Sequence, residues 1–171
     1  HALQLAHGRM DVRELERMCA EMQADAAHPQ GVPLIVCATS GTTVLGAFDD
    51  VAAIAEVCRK YDLWLHVDAS WGGAAAFLPH DAPERSVLAG LENAHSITIN
   101  PHKLLGVTHQ CSFLLVHDKS VLIPPSHSDG GYLFHVPAED ALDMATKTLG
   151  CGRRGDALKF YLVWLRYGTQ G

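Results

Sequence analysis

The sequence predicts an α/β fold built on a mostly parallel sheet with one antiparallel strand. Three observations carry that expectation. Short apolar runs alternate with amphipathic stretches between residues 34 and 100, in the order strand, helix, strand, helix, strand; this is the pattern of right-handed parallel βαβ units. The strand after Asn100 starts only nine residues on, after 101 to 109. A parallel crossover takes about a dozen residues or more, so this strand turns back antiparallel. Finally, 171 residues that are 48% hydrophobic and 19% charged have the size and composition of one domain with a substantial core.

Taken in order, the first element is a helix over Asp11 to Ala27. Val12, Leu15, Met18, Cys19 and Met22 recur close to the i, i+3, i+4 spacing of one face. Asp11 is placed to cap it, with Glu14 completing a capping box. "HPQGVP" breaks that helix, and "LIVCAT" follows as a strand rich in β-formers, apolar enough to be buried on both faces. The glycine- and threonine-rich connection "SGTTVLGAFDD" leads to a second helix, capped by Asp49 or Asp50 and running to about Tyr61. Val51, Ile54, Ala55 and Cys58 share its inner face. "LWLHVDAS" is the next strand. "WGGAAAFLPHDAPERS" reads as a loop, and a short helix near Val87 to Leu91 feeds the strand "SITIN". "QCSFLLVHD" is the reversed strand. "IPPSHSDGGYLFHVP" lacks any periodicity and reads as a mobile loop, and a helix from Asp156 to Tyr167 closes the chain.

Composition narrows the function. A net charge of -6 and the lack of a basic stripe argue against nucleic acid, and no apolar run approaches the roughly 18 residues of a membrane span. Five cysteines, odd in number and without a C-x-x-C pair, fit reduced and mostly buried thiols of a cytoplasmic protein. No His/Cys/Asp cluster has metal-ligand spacing, so no metal is expected. "GCGRRG" matches a dinucleotide fingerprint in letters only, because a helical stretch rather than a strand precedes it. The opening His1 has no signal-peptide features and reads as the interior of a longer chain.

In an open α/β sheet, ligands bind outside the carboxyl ends of the strands. The first of those ends offers Thr39, Ser40, Gly41, Thr42 and Thr43; the second, His66, Asp68, Ser70 and Trp71; the third, Asn100, His102 and Lys103. Lys103 is distinctive, because no charged residue lies between Glu92 and it, nor between it and Asp118. Taken singly, an aspartate at a strand end is most often a cap, a lysine in a loop is most often solvated, and His66 is equally a satisfied core histidine. Together, an amine and a carboxylate on adjoining strand ends are the minimum apparatus for pyridoxal phosphate. The amine anchors the aldehyde, and the carboxylate keeps the pyridine nitrogen protonated. His102 is placed to stack on the ring or touch the phosphate.

"ATSGTTVLGAFDD", "LWLHVDASWGG", "NPHKLLG", "GGYLFH" and "CGRRGDALKFYLVWL" resemble the group II pyridoxal-phosphate decarboxylases, which act on glutamate, cysteine sulfinate, aromatic amino acids and histidine. The resemblance implies part of the large domain of fold type I, the aspartate aminotransferase-like architecture. Residues 1–171 then form a piece of the cofactor-binding domain, without the N-terminal segment and the small C-terminal domain. It also implies a homodimer with shared active sites. Carried over by motif, Lys103 is the Schiff-base lysine and Asp68 the partner of the pyridine nitrogen. Ser70 stands where a small residue, commonly alanine, packs on the cofactor ring. Asn100 and His102 lie near the phosphate, and Thr43 near the ring and Asp68. Tyr132 matches the loop tyrosine that returns a proton to the substrate carbon, directly or through His102.

The resemblance leans toward the acidic-substrate branch, with cysteine sulfinate (to hypotaurine) ahead of glutamate (to 4-aminobutyrate). "DASWGG", "YLFH", "HQCSFLLV" and "CGRR" are the residues that tip it. Arg153 and Arg154 are the cations that suit an acidic side chain; a structural role at the helix start or a subunit contact is the competing reading. An aromatic substrate, another pyridoxal-phosphate reaction on the same fold, and a non-catalytic relative are the alternatives.

Overall fold

The structure, a computed structural model, describes residues 7–24, 33–122 and 152–168. Helix α1 (Val12–Ala24) opens it, and Asp11 caps it as expected, its Oδ1 accepting from the Arg13 and Glu14 amides at 2.9 and 3.2 Å. The reciprocal half of the capping box does not form, because the Glu14 carboxylate pairs with Arg17 one turn on. Strand β1 (Ile35–Thr39) and helix α2 (Val51–Tyr61) come next. Asp50 is the α2 cap, accepting from the Ala53 amide at 3.0 Å. Strands β2 (Trp64–Asp68), β3 (Ser96–Ile99) and β4 (Phe113–Val116) and helix α3 (Asp156–Tyr167) complete the regular elements.

The four strands lie in sequence order, β1-β2-β3-β4. β1 and β3 flank β2 in parallel, Thr39 opposite Asp68 and Asp68 opposite Thr98. β4 runs antiparallel to β3, with Ile99 opposite Phe113. The chain does reverse after Asn100, as expected, but β4 starts at Phe113 rather than Gln110, so the connection runs over residues 100–112 and its length alone does not force the reversal.

The core fills one face of this sheet. Val36 and Ala38 of β1 and Leu65 and Val67 of β2 meet Val51, Ile54, Ala55 and Cys58 of α2, and Leu15 and Cys19 of α1 join them. Ile54, Leu65 and Val67 are fully buried, each stabilising the fold by roughly 1.5–3 kcal/mol. Cys19 and Cys58 thus behave as small apolar residues, and burial pushes the Cys58 thiol up to about 11.

Two expectations are corrected here. β1 is buried on one face only: Val36 and Ala38 point inward, whereas Ile35 is 54% exposed and Cys37 is exposed. It is an edge strand, and no described element covers its other face; a continuous apolar run does not reveal that asymmetry. The loop after β2 carries short 3-10 helices at Gly72–Phe77 and Pro83–Leu88, and a third at Leu91–Asn93 replaces the single short helix expected around Val87 to Leu91. Gly90, at φ 91°, separates the last two. A Cβ there would stand 2.4 Å from the Ala52 amide nitrogen, so this loop rests backbone-on-backbone against α2. The loop expected at 123–137, Cys151 and the residues before "CGRR" lie outside the described residues. Among the described residues no helix is long and apolar enough to cross a membrane, and no group of side chains has a metal-ligand arrangement.

Asp49 joins the first two elements. Its carboxylate accepts from the Met10 amide and from the Thr39 amide, each at 2.7 Å, while its own amide donates to the Thr39 carbonyl at 2.9 Å. Asp49→Ala leaves both amides without their charged partner and is expected to cost roughly 2–4 kcal/mol. Asp49→Asn, with one acceptor oxygen, should cost less; urea unfolding of the two variants beside the parent checks the order.

Candidate active site

The carboxyl ends of β1, β2 and β3 are held together beyond the strands themselves. The Ser40 amide donates to the Asp68 carbonyl at 2.8 Å, and the Ala69 amide to the Thr98 carbonyl at 2.9 Å. The chain after β2 then doubles back against β1, where the Gly72 amide donates to the Ser40 carbonyl at 3.0 Å. A Cβ on Gly72 would meet that carbonyl oxygen and the Phe48 ring, both at 2.4 Å. The glycine pair of "SWGG" is thus a requirement of close packing, and it fixes Ser70 and Trp71 beside Asp68.

Asp68 presents its carboxylate at the open end of β2. Its Oδ1 accepts from the Ser70 amide at 2.9 Å. Burial pushes this carboxyl up; hydrogen bonds from the Ser70 hydroxyl and amide and the charges of Lys103 and His66 outweigh it, and the net position is below the usual aspartate value. Asp68 is therefore an anion at neutral pH.

Lys103 sits in a turn after β3, its amide donating to the Asn100 carbonyl at 2.9 Å. Its side chain is half-buried, and Nζ stands 5.1 Å from the centre of the Trp71 ring. Parallel pairing of β2 with β3 thus brings the expected amine and carboxylate to one site, with an indole that sequence spacing had placed at the strand end without a role. Asn100, half-buried at the end of β3, keeps a buried Oδ1 with no partner among the described residues, and the buried Ser40 hydroxyl has none either.

His102 is fastened from behind. Its Nδ1 lies 2.6 Å from the Cys111 carbonyl oxygen and 3.1 Å from the Cys111 amide nitrogen. The shorter contact favours an Nδ1–H donating to the carbonyl. His109 meets the His102 ring edge-on, centroids 4.4 Å apart. The neighbouring loop is itself pinned to α3: the Ser112 amide donates to Asp156 Oδ2 at 3.2 Å, the Cys111 thiol donates to the Asp156 carbonyl at 3.4 Å, and the Lys159 ammonium bonds the Gln110 carbonyl. The Lys159 side chain holds the Asp156 carboxyl below its ordinary value, with burial opposing and the Ser112 amide and Arg153 charge assisting. Between this loop and the start of α3 lies a cavity of about 390 Å³ lined by His109, Gln110, Arg153, Arg154 and Asp156.

His66 resolves toward a satisfied structural histidine. Its Nδ1 is 2.8 Å from the Ser96 hydroxyl, which also accepts from the Trp64 indole N–H at 2.9 Å, and its Nε2 is 3.3 Å from the Thr98 hydroxyl. Thr43 does not join the cluster. It is exposed in the turn after Ser40 and makes no hydrogen bond among the described residues; the turn is closed by its neighbour Thr42, whose hydroxyl accepts from the Ala47 amide at 2.9 Å. Tyr132 lies outside the described residues. Trp71, His109 and the Cys111 main chain are the participants that spacing alone did not assign, because each acts through a neighbour on another strand or loop.

The donor set suits pyridoxal phosphate. A lysine free of any ion pair among the described residues can take the aldehyde, an ionised carboxylate faces the same space, and a buried carboxamide oxygen there is unused.

Comparison with known proteins agrees with that chemistry. Residues 2–171 match the pyridoxal-dependent decarboxylase conserved domain. The chain is 46% identical over 167 residues to the cysteine sulfinic acid decarboxylase of Homo sapiens, covering 96% of this chain and 32% of that protein. It is 45% identical over 165 residues to an L-aspartate decarboxylase of Metarhizium robertsii, with the same two coverages. The crystal structure of mouse CSAD superposes with a TM-score of 0.81 at 44% identity, over 98% of this chain and 33% of that one. The chain therefore spans about a third of the length of the relatives it matches.

Ser70→Ala tests the local electrostatics. Removing the hydroxyl deletes one of the bonds that lower Asp68, so its pKa should rise, read as a shift of the side-chain carboxyl resonance in an NMR titration. Because the folded value lies below the unfolded one, Asp68 stabilises the fold above the unfolded value, and that contribution fades as pH falls through the folded value. The variant should lose it at a higher pH than the parent.

Proposed function

The chain belongs to the pyridoxal-dependent decarboxylase family, and we propose that it forms part of the cofactor-binding large domain of an enzyme that removes the α-carboxylate of an acidic L-amino acid as CO2. The observation that carries this reading is the pair of Asp68 and Lys103 on adjoining strand ends, close enough for the lysine charge to lower the carboxyl. The cofactor supplies an electron sink for the bond between Cα and the departing carboxylate. Lys103 would hold the cofactor's aldehyde through Nζ. Asp68, kept ionised by Ser70, holds the proton on the pyridine nitrogen. Asn100 and His102 hold the cofactor's phosphate end, with His102 oriented through Cys111. Tyr132 delivers the proton that replaces CO2 at Cα.

Two features support an acidic side chain. The relatives named above act on cysteine sulfinic acid and on L-aspartate. The 390 Å³ cavity bearing Arg153 and Arg154 adjoins His109, which touches His102. Arg153 and Arg154 bring positive charge to the lining of that cavity, which suits a substrate anion. Cysteine sulfinate is our first choice, ahead of glutamate, with aspartate added by the fungal relative. Free thiols at Cys19, Cys37, Cys58 and Cys111 accord with a cytoplasmic setting. Exposed Val44, Leu45 and Leu104 around the strand ends accord with a homodimer that covers them.

CO2 release by the full-length protein, reconstituted with pyridoxal phosphate, tests the reading on cysteine sulfinate, glutamate, aspartate and an aromatic amino acid. Release from an acidic substrate, lost in Lys103→Ala, is expected; release from the aromatic substrate alone overturns the assignment of the arginines. Arg153→Gln should raise KM for the preferred acid by roughly tenfold or more, with kcat less affected. Tyr132→Phe should divert the final proton, so that activity decays with turnover; unchanged product partitioning contradicts its role.

A further inference from the structure

Lys103 is held in an unusual way for a lysine so near a carboxylate. Among the described residues it enters no ion pair and donates no side-chain hydrogen bond; its contact is the face of Trp71, with Nζ 5.1 Å from the ring centre. The main chain that carries the indole is fixed on both sides. Gly72, next in the chain, is clamped between the Ser40 carbonyl and Phe48, and Ser70, just before it, is tied to Asp68. One short segment therefore fixes both the carboxylate and the aromatic face.

An aromatic face and a carboxylate restrain an ammonium differently. A carboxylate accepts a hydrogen bond and binds the proton's charge tightly. A π face attracts the cation without taking a hydrogen bond, and more weakly. An amine parked on an indole keeps its long stem in one region, yet loses little when it gives up its proton and turns to attack a carbonyl carbon. We propose that Trp71 is the resting platform of the Lys103 amine whenever that amine is not bonded to cofactor, and so a positioning residue of the site. This rests on Lys103 being the cofactor's anchor.

The platform makes two opposite effects expected of one substitution. Trp71→Leu removes the attraction, so Lys103 in the cofactor-free full-length protein should be acylated faster by a small amine-directed reagent, by about two- to fivefold, read by peptide mass spectrometry. The same variant should capture pyridoxal phosphate more slowly, followed by the visible absorption of the bound cofactor, because the stem now samples other rotamers. Trp71→Phe keeps a π face and should stay near the parent in both. A capture rate unchanged in Trp71→Leu, or lowered equally in Trp71→Phe, overturns the platform. Should Trp71→Leu fail to fold, Lys103→Met provides the test: it should change the indole emission of the cofactor-free protein, and should not do so in a Trp71→Phe background. An emission unaffected by Lys103→Met also overturns the proposal. Failure of the parent itself to capture cofactor, with the acylation and emission differences intact, instead overturns the proposed function and with it the platform's purpose.

Discussion

Two main-chain hydrogen bonds past the ends of the strands, Ser40 to Asp68 and Ala69 to Thr98, are what the site depends on. They carry the parallel ladder one step beyond its regular pairing, at the level where the chain leaves the sheet and would otherwise fray. Because each joins a residue on one strand end to its neighbour on the next, Asp68 cannot shift without moving β1 and β3. The amine on the far side of β3 inherits that constraint through the turn from Asn100 to Lys103. A one-residue slip in either pairing would turn Asp68 to the opposite face of the sheet, into the core.

A second support reaches the site from the opposite side. α3 grips the loop at 110–112 through Asp156 and Lys159, that loop grips the His102 imidazole through Cys111, and His102 directly precedes Lys103. The lysine is therefore positioned between a sheet edge joined by main-chain hydrogen bonds and a helix start that acts through side chains. The charges are distributed accordingly: Asp156 is spent on Lys159, whereas Lys103 has no such partner among the described residues and rests on an indole. On the proposed function, a site that breaks and remakes a bond at this amine gains from leaving it without a strong electrostatic tether.

Much of this was legible in the residues. The apolar runs and helix faces gave the order of elements, and the reversal of β4 was expected from a short connection after Asn100; the reversal holds, although β4 starts three residues later than expected, at Phe113. The ends of α2 and α3 followed from Asp50 and from the onset of periodicity at Asp156. What was not legible shares one cause, namely that it depends on which neighbour covers a face. "LIVCAT" is apolar throughout, and nothing in it distinguishes the buried Val36 from the exposed Ile35. The glycines of "SWGG" read as a loop, although they mark a contact with Ser40 and Phe48 that only the folded chain reveals. In the same way Asp68 and Lys103 were found by their chemical types, while Trp71 needed the geometry. The hydroxyl of Ser70 falls between the two: it stood out as a replacement for alanine, and its bond to Asp68 makes the replacement electrostatic as well as steric.

The return between β3 and β4, residues 100–112, also bears on how the chain acquires its shape. Ile99 meets Phe113 across a short loop, whereas Thr39 must find Asp68 across a whole helix. Closing the smaller loop costs less chain entropy, and local pairings of this kind form faster than distant parallel ones. The turn that carries Lys103 belongs to that small loop. During synthesis it can take its shape as soon as β4 emerges, so the Lys103 turn precedes α3 and its grip on the histidine loop.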